Sequence, residues 1–504
     1  MSKIGPEGQV ANLVYVFVPF RFDGDGGAGR DMRIRMVLDD AIGKCRDGTG
    51  GTIWGDCSKD IRSYFLKHLT DKIVSSASGK MNHPCCVHLC AKPRDLGCLA
   101  KDRFQLLVPS YMTDSPKGDV SRLLVTFCVD SVNLSLFGTG LGIVSFGIIL
   151  DTGDAMTVSF AEQLLKMSVE PVAAEKDEAD KLSEAKRSRL CGEAIIRRTG
   201  GAEGPTDTDF TAIAKKVVGS CVKSAKAEFG FYSQKPRASL FTLFVEEGSS
   251  DAADFEKKLY YLSNGYGDGF MYPDDGKNAD ARYIGDQNIC WGVSNEVVCC
   301  YVRPGLYPKS RQFIERSFYG KFRHEYLFMY IWLLHQKYVL YAFLTDVSAY
   351  GLSDPARANV RELRRYKDRF VDFESNYVFA RITDVPQYQQ LYDAIGRQFT
   401  LRTMYADVKE PLVALEDLAR DKEQRVSTGI TIILAVMGIL TVFSAYVDSY
   451  DFIGKFFDSW TDGRVRAWQI VCVVCITIFV VVGLSWILLF SLRGGIFKSK
   501  GLRR

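Results

Sequence analysis

One short segment concentrates the residue types that bind transition metals. It reads His83-Pro-Cys85-Cys86-Val-His88-Leu-Cys90. Zinc favours nitrogen and sulfur ligands in tetrahedral sets, although the paired C-x-x-C spacing of many zinc sites is absent here. The candidate ligands are His83, Cys85, His88 and Cys90. The alternative is a half-buried strand with reduced thiols facing inward, so we expect that no cofactor is required and leave zinc open.

A glycine-rich segment follows a predicted buried strand at Asn12–Phe22. Gly24, Gly26 and Gly29 formally match the G-x-G-x-x-G phosphate-binding pattern. That pattern needs a helix directly after the loop, whereas the residues from Arg30 onward alternate like a second strand. We therefore predict a surface loop in preference to a phosphate site.

Residues 171–209 are polar and charged, which predicts an exposed insertion. Its basic side chains are candidates for contact with an anionic ligand, and solvated surface charge is the alternative. The candidates are Arg187, Arg189, Arg197 and Arg198. No Ser-His-Asp, Walker or paired-carboxylate motif stands out in the chain, so we do not expect an enzyme.

Two apolar runs near the C-terminus, Thr428–Tyr446 and Ala467–Leu492, are long enough to cross a bilayer as helices. The tail after the second run carries five positive charges and no negative one, which predicts a cytosolic C-terminus. Two spans return the chain to its starting side, so the N-terminal residues are also predicted to be cytosolic, with a loop at Val447–Arg466 outside. In a reducing compartment the cysteines are expected to be free thiols.

The first apolar run has a stripe of small and weakly polar residues on one helical face. The stripe residues are Ser427, Thr431, Ala435, Gly438 and Thr441. Such a stripe suits a pore wall or close helix packing, and Asp448 and Asp451 would then lie at the pore mouth. The alternative is that the two spans are only a membrane anchor.

Strand and helix patterns alternate through residues 1–307, which predicts an α/β or α+β domain. A helical bundle with a long stalk is predicted for 308–425, and the two membrane helices for 426–504. Tyr326–Leu344 is apolar enough to imitate a span, but His335 and Lys337 lie at its centre. Charge is costly in lipid, so a buried helix of a bundle is predicted there instead.

The stalk is predicted to start at Pro386 and to run directly into the first span. Its apolar seam would pack against copies of the same helix. The seam residues are Leu401, Met404, Val408, Leu412, Leu415 and Leu418. Pro411 lacks an N–H and is a candidate hinge, although it would also suit a helix start after a loop.

This order of parts resembles the CorA family of ion channels and transporters, in architecture from about Pro308 to the end. The resemblance implies a symmetric ring of subunits, here a tetramer or pentamer, with the first span lining the pore. The family's Gly-Met-Asn signature is missing: the nearest residues are Met437-Gly438, and no asparagine follows Asn376. Magnesium transport is therefore not expected to carry over with the ring.

A divergent cytosolic domain on such a hairpin is similar to CorA-like effectors of bacterial antiphage defence. That resemblance implies a homo-oligomeric, ligand-gated cation channel in the bacterial inner membrane. A nucleotide or oligonucleotide, made by a partner nucleotidyltransferase, would open the pore and depolarise the cell. A divalent-cation transporter and a membrane-anchored enzyme are the alternatives.

Overall fold

The computed structural model describes residues 12–23, 29–46, 53–57, 61, 64–72, 85–96, 99, 104–107, 124–150, 195–198, 206–208, 210–222, 226–232, 238–245, 252–264, 282–286, 288–303, 312–349 and 360–457. Within these residues one mixed sheet is the dominant feature. Its strands are β1 Leu13–Arg21, β2 Trp54–Asp56, β3 Cys86–Ala91, β4 Phe104–Leu107, β5 Leu124–Phe137, β6 Leu141–Leu150, β7 Ile195–Arg198, β8 Thr206–Thr208, β9 Glu228–Phe229, β10 Ser239–Val245, β11 Arg282–Asp286, β12 Ile289–Val293 and β13 Val297–Val302.

The strands follow the order β11-β12-β13-β10-β1-β6-β5-β4-β7-β8. Most neighbours are antiparallel, and β10 with β13 is a parallel pair. Strand β5 pairs with β6 along one edge, and its other edge is shared by β4 and β3. Two hairpins belong to this sheet: β5–β6 turns at Gly138-Thr139-Gly140, and β12–β13 turns at Ser294-Asn295.

Strand β1 lies inside the sheet, between β10 and β6, and it is buried on both faces. Because side chains alternate along a strand, Val14 and Val16 enter the core on one face, and Tyr15 and Phe17 enter the core on the other. A strand covered on both sides must be apolar at nearly every position, which explains the uninterrupted run of β-branched and aromatic residues.

Helices cover both faces of the sheet. They are α1 Arg30–Arg46, α2 Lys67–Thr70, α3 Phe210–Cys221, α4 Ala252–Asn264, α5 Leu327–Ala349, α6 Val360–Tyr377, α7 Pro386–Gln398 and α8 Leu401–Phe457. The first core lies on the face of the sheet that carries Val14 and Val16, and it includes residues of α1, α3 and α4. The second core lies on the face that carries Tyr15 and Phe17, and it includes residues of α2, α5, α6, α7 and the first turns of α8. Two π-helical turns, Ile314–Phe318 and Phe322–Tyr326, precede α5.

The strand that we predicted from Arg30 onward is wrong, because these residues begin helix α1. Ile34, Val37, Leu38 and Ala41 recur at helical spacing and are all buried against the sheet. That period extends through most of the helix, and it outweighs the short local alternation at its start.

The exposed insertion predicted for 171–209 ends earlier in the chain than expected, because part of this range belongs to the sheet. Ile195–Arg198 is a strand that pairs with β4, and Thr206–Thr208 pairs with it in turn. The apolar pair Ile195-Ile196 precedes the arginines, and the antiparallel pairing with β4 continues through Arg198. Residues 171–194 lie outside the described residues.

The structure contains two compact units, Met1–Asp417 and Leu418–Arg504. We call the first of them the α/β unit. The helical bundle that we predicted as a domain at 308–425 is, up to Asp417, one layer of the first unit. The reason is visible at α5, where Phe328, Tyr330 and Trp332 have no exposed surface and pack in the same core as strand residues of the sheet. Such side chains need a partner layer on every side of the helix.

Helix α5 confirms the prediction of a buried helix at Tyr326–Leu344. His335 is fully buried, its Nε2 lies 2.9 Å from Thr139 Oγ1, and its ring stacks on Phe137 at 3.8 Å between centroids. Burial lowers the pKa of His335 well below its usual value, so the ring is neutral. The polar residues at the centre of this helix are thus accommodated by the fold.

Lys337 on the same helix leads to a pH prediction. Its Nζ donates to the carbonyl of Asn295 at 2.5 Å and lies 4.4 Å from the centroid of the Phe399 ring. Burial lowers the pKa of Lys337 to about 8, and the nearby Glu296 carboxylate only partly opposes this. The unfolded value is about 10.4, so between these values the unfolded chain binds more protons and the free energy of unfolding rises with pH.

We therefore expect Lys337→Met to flatten the pH profile of stability. Between pH 7.5 and 9.5 the free energy of unfolding of the wild type should rise by about 2 kcal/mol relative to the variant. Urea denaturation of the full chain at both pH values measures this difference. Parallel profiles for the two proteins would contradict the assignment of a buried, weakly paired ammonium group.

Candidate functional site

Among the residues that the structure describes, two helical segments are long and apolar enough to cross a membrane, by length and composition. Tyr319–Val347 is mostly buried inside the fold, in agreement with its role as a core helix. Ser427–Ala445, within α8, has 19 residues and a mean hydropathy of 2.1, and it is not buried inside the fold. It coincides with the first predicted span. The second, Ala467–Leu492, lies outside the described residues.

The predicted pore stripe lies along this exposed part of α8. Ser427, Thr431, Gly438 and Thr441 are exposed and Ala435 is half-buried. The hydroxyls of Thr431 and Thr441 donate to the carbonyls four residues earlier, at 2.9 and 2.8 Å. Their hydrogen-bonding needs are thus met by the helix itself. These two threonines can therefore face water or a neighbouring helix without leaving a hydroxyl donor unpaired.

The prediction of an external loop from Val447 is wrong at its start, because α8 continues to Phe457. Asp448 and Asp451 consequently lie on helical backbone instead of in a loop. Apolar residues still recur at helical spacing there, at Val447, Tyr450 and Ile453, and no proline interrupts the hydrogen-bond ladder.

The stalk begins later than predicted. Helix α7 ends at Gln398, and Thr400 has a left-handed backbone with φ of 53° before α8 starts at Leu401. A left-handed residue cannot continue an α-helix, so Pro386 opens a separate helix. Pro411 lies in the interior of α8, so the interpretation of this proline as a helix start is wrong.

The first half of the predicted seam packs inside its own chain, and not against copies of the same helix as we predicted. Met404, Val408 and Leu412 are buried in the core that contains α5 and α6. Across this contact, Tyr405 lies 5.1 Å from the Phe370 ring, and Lys409 Nζ lies 3.3 Å from Glu374 Oε1. The beginning of α8 is therefore firmly held by the α/β unit. Nothing is described for the side chains of Leu415 and Leu418.

The predicted zinc ligands do not form a site in the part of the chain that the structure describes. Cys90 is bonded to Cys57, so its sulfur is no thiolate and our prediction of free thiols is wrong for this pair. His88 Nδ1 lies 2.8 Å from Ser135 Oγ in the core, and Cys85 is a buried free thiol. Among the described residues no three His, Cys, Asp or Glu side chains are grouped as metal ligands. His83 lies outside them.

The candidate ligand arginines are only partly described. Arg197 and Arg198 belong to strand β7, where they pair in register with Gln105 and Phe104 of β4. Arg187 and Arg189 lie outside the described residues. The structure therefore does not bring the four arginines together as one described site.

The G-x-G-x-x-G pattern needs a helix directly after its glycines, and helix α1 does follow the glycine-rich segment. However, both β6 and β10 run antiparallel to β1. The dinucleotide motif belongs to a βαβ unit of a parallel sheet, so the topology still argues against it. Gly24 and Gly26 lie outside the described residues, and Gly29 has φ of 106°, directly before the helix.

One charged cluster was missed in the sequence, and it is centred on the buried Asp23. Its Oδ2 accepts from Arg30 Nε at 2.9 Å and its Oδ1 from Arg21 Nε at 3.2 Å, while Arg369 of α6 approaches to 3.9 Å. Arg30 also donates to the carbonyl of Thr139 at the tip of the β5–β6 hairpin. Burial and the neighbouring Arg30 lower the pKa of Arg369.

The Asp23 cluster connects four elements of the fold: β1, α1, the tip of the β5–β6 hairpin and α6. Gly140 at the tip has φ of 86°, and a Cβ added there would meet the Asp23 Cβ at 2.5 Å. The backbone therefore approaches the carboxylate too closely for any other residue. Only the Arg-Phe-Asp sequence before the glycine segment signals the cluster locally, because Arg369 is far away in the chain.

Comparison with family models, curated proteins and solved structures finds no match to this chain.

Proposed function

We propose that this protein is a homo-oligomeric, ligand-gated cation channel whose α/β unit senses a signal and whose α8 helix lines the pore. One observation carries the proposal. Helix α8 begins inside the core of the α/β unit and includes the exposed, apolar Ser427–Ala445 segment with its small and polar stripe. A single hairpin cannot enclose a pore, so several copies in a ring are required.

The chemistry of the stripe favours a water-filled path over a simple anchor. A lipid anchor has no need of a polar face, whereas Ser427, Thr431 and Thr441 place three hydroxyls on one face of the helix. The other faces carry exposed Ile433, Val436 and Phe443, which suit lipid or the second span. These features support an inner ring made of α8 and an outer ring made of the second span.

The ligand class in this proposal is a nucleotide or oligonucleotide, supplied by a partner nucleotidyltransferase in a bacterial defence system. Arg187, Arg189, Arg197 and Arg198 are its candidate contacts, because guanidinium groups bind phosphate through paired hydrogen bonds. The proposed location is the bacterial inner membrane with both termini in the cytosol. A divalent-cation transporter is the second candidate, and Asp448 and Asp451 favour it.

Current recording from the purified full chain in planar bilayers tests the proposal, with nucleotides and oligonucleotides added to one side. We expect monovalent cations to carry the current, because the asparagine signature of the magnesium transporters is missing. Acidic residues after the first span, Asp448, Asp451, Asp458 and Asp462, would raise the local cation density. Reversal potentials that follow magnesium and ignore sodium and potassium would favour the transporter instead.

Pro411 supplies a prediction about gating. It removes the hydrogen bond to the carbonyl of Asp407 and weakens α8 just before its last described buried contact, Leu412. Pro411→Ala restores the bond, so we expect the free energy between closed and open states to shift by about 1–3 kcal/mol. The measurement is open probability at a fixed ligand concentration. An unchanged open probability in an assembled channel would exclude the hinge.

A further inference from the structure

The disulfide between Cys57 and Cys90 connects two short strands of the sheet. Cys57 directly follows β2, and Cys90 lies on β3, its antiparallel partner. Cys90 is half-buried, whereas Cys57 is almost fully buried. Cys90 is therefore the sulfur of the pair that solvent reaches more easily. The free thiols nearby are less reactive, because burial raises the pKa of Cys85 and of Cys86 and keeps both thiols protonated.

The bond closes a loop of the chain that is docked on the helical layer. We call Ile61 and residues 64–72 the bridged segment. Three of its side chains, Ile61, Phe65 and Leu69, are buried in the core with α5. The segment therefore depends on helices from the distant C-terminal half for its burial.

Hydrogen bonds connect the bridged segment to the α6–α7 connection, residues 378–385. The amide of Leu66 donates to the carbonyl of Ile382 at 2.8 Å, and Thr383 Oγ1 donates to the carbonyl of Tyr64 at 2.6 Å. His68 Nε2 lies 2.9 Å from the carbonyl of Arg381. Helix α7 also bonds to this connection, because Gln389 Oε1 accepts from the amide of Ile382 at 3.0 Å and Tyr392 donates to the carbonyl of Phe379 at 3.1 Å. The bridged segment therefore supplies part of the hydrogen bonding of the connection, and α7 supplies another part.

We propose that the Cys57–Cys90 bond is a reversible redox modification site, and that its reduction loosens the bridged segment from the α6–α7 connection. An intact bond restricts the free chain between its ends, so breaking it raises the entropy of the undocked segment and weakens docking. A solvent-reachable disulfide is the type that exchanges with small thiols. The inference does not depend on channel activity.

The co-substrate class is a low-molecular-weight thiol. Its thiolate attacks Cys90 Sγ, the S–S bond breaks, and Cys57 Sγ leaves as a thiolate that takes a proton from water. A second thiol then displaces Cys90 from the mixed disulfide. The protein disulfide gains two electrons and becomes two thiols, while the two small thiols are oxidised to one disulfide.

The test uses the full chain in detergent micelles, equilibrated with glutathione buffers of defined ratio. Alkylation mapped by mass spectrometry reports the redox state of Cys57 and Cys90, and hydrogen exchange reports the docking. We expect both cysteines to become reactive together on reduction. Peptides from 64–72 and 378–385 should then exchange about tenfold faster, whereas peptides from α5 should not change.

Two variants separate the bond from general effects of reductant. The double variant Cys57→Ser/Cys90→Ser should exchange like reduced wild type in every buffer. Cys128→Ser, which removes a half-buried free cysteine of β5, should respond like wild type. Free thiols at both positions under the most oxidising buffer would overturn the proposal, as would reduction that leaves the exchange rates unchanged. The wild type alone decides these outcomes if the double variant does not fold.

A second arm traps thiols with acid in intact cells that express the full chain. Reduced Cys57 and Cys90 during growth, followed by oxidation after treatment with a thiol oxidant, would support a switch in a reducing compartment. A bond that is complete in growing cells would overturn the switch. It would also contradict the cytosolic placement of the α/β unit, whereas the bilayer recordings would still test the channel separately.

Discussion

Thr431→Trp is expected to reduce the single-channel conductance of the proposed channel at least about tenfold, because an indole on the proposed pore wall would displace the water that a cation needs in a narrow path. Thr431 is exposed and belongs to the stripe, with Ser427 and Ala435 one turn away on either side. The substitution adds no charge and leaves the other faces of α8 unchanged, so the ring of subunits should still assemble. Conductance and oligomer size are measured on the same preparation.

Leu440→Trp is the matched control for this experiment. At 100° per residue, Leu440 lies opposite Thr431 on α8, and it is similarly exposed in the single chain. An apolar residue is replaced there by another apolar residue, so conduction should be preserved. Equal loss from Leu440→Trp, or from Val474→Trp or Phe479→Trp on the second span, would contradict the assignment of an inner and an outer ring.

Gly142→Ala is expected to destabilise the α/β unit by about 2–3 kcal/mol. Gly142 of β6 pairs with Phe20 of β1, and the Phe20 ring lies directly over it. A Cβ added at Gly142 would meet Phe20 Cζ at 2.3 Å and Cε1 at 2.6 Å. The ring has no exposed surface and stacks on Phe229 at 5.4 Å, so it cannot move without disturbing the first core.

Gly219→Ala provides the comparison, because a Cβ at Gly219 meets nothing within 4 Å and the residue lies in helix α3. Alanine is a better helix former than glycine, so this variant should be stabilised by up to about 1 kcal/mol. Urea denaturation followed by near-ultraviolet circular dichroism measures both. Adding Phe20→Leu to Gly142→Ala should recover part of the loss, and strictly additive effects would exclude the ring as its cause.

Several elements could be predicted from the sequence because their signal is local. The alternation of side chains and a glycine turn determine the β5–β6 hairpin, and the apolar run at Leu13–Arg21 has the composition of a strand covered on both faces. The Ser427–Ala445 segment is apolar over the length of a bilayer. For Tyr326–Leu344, the polar residues at the centre excluded lipid and correctly predicted burial in protein.

The tertiary structure decided the features that depend on distant residues. Arg369 reaches Asp23 only because α6 packs across the sheet, and Cys90 is bonded to Cys57 only because β2 pairs with β3. The start of the stalk seam is buried by its own chain, since α5 and α6 offer an apolar surface that the seam itself does not encode. Periodicity along a chain shows which face of an element is apolar, but the partner of that face is chosen by the packing of the whole fold.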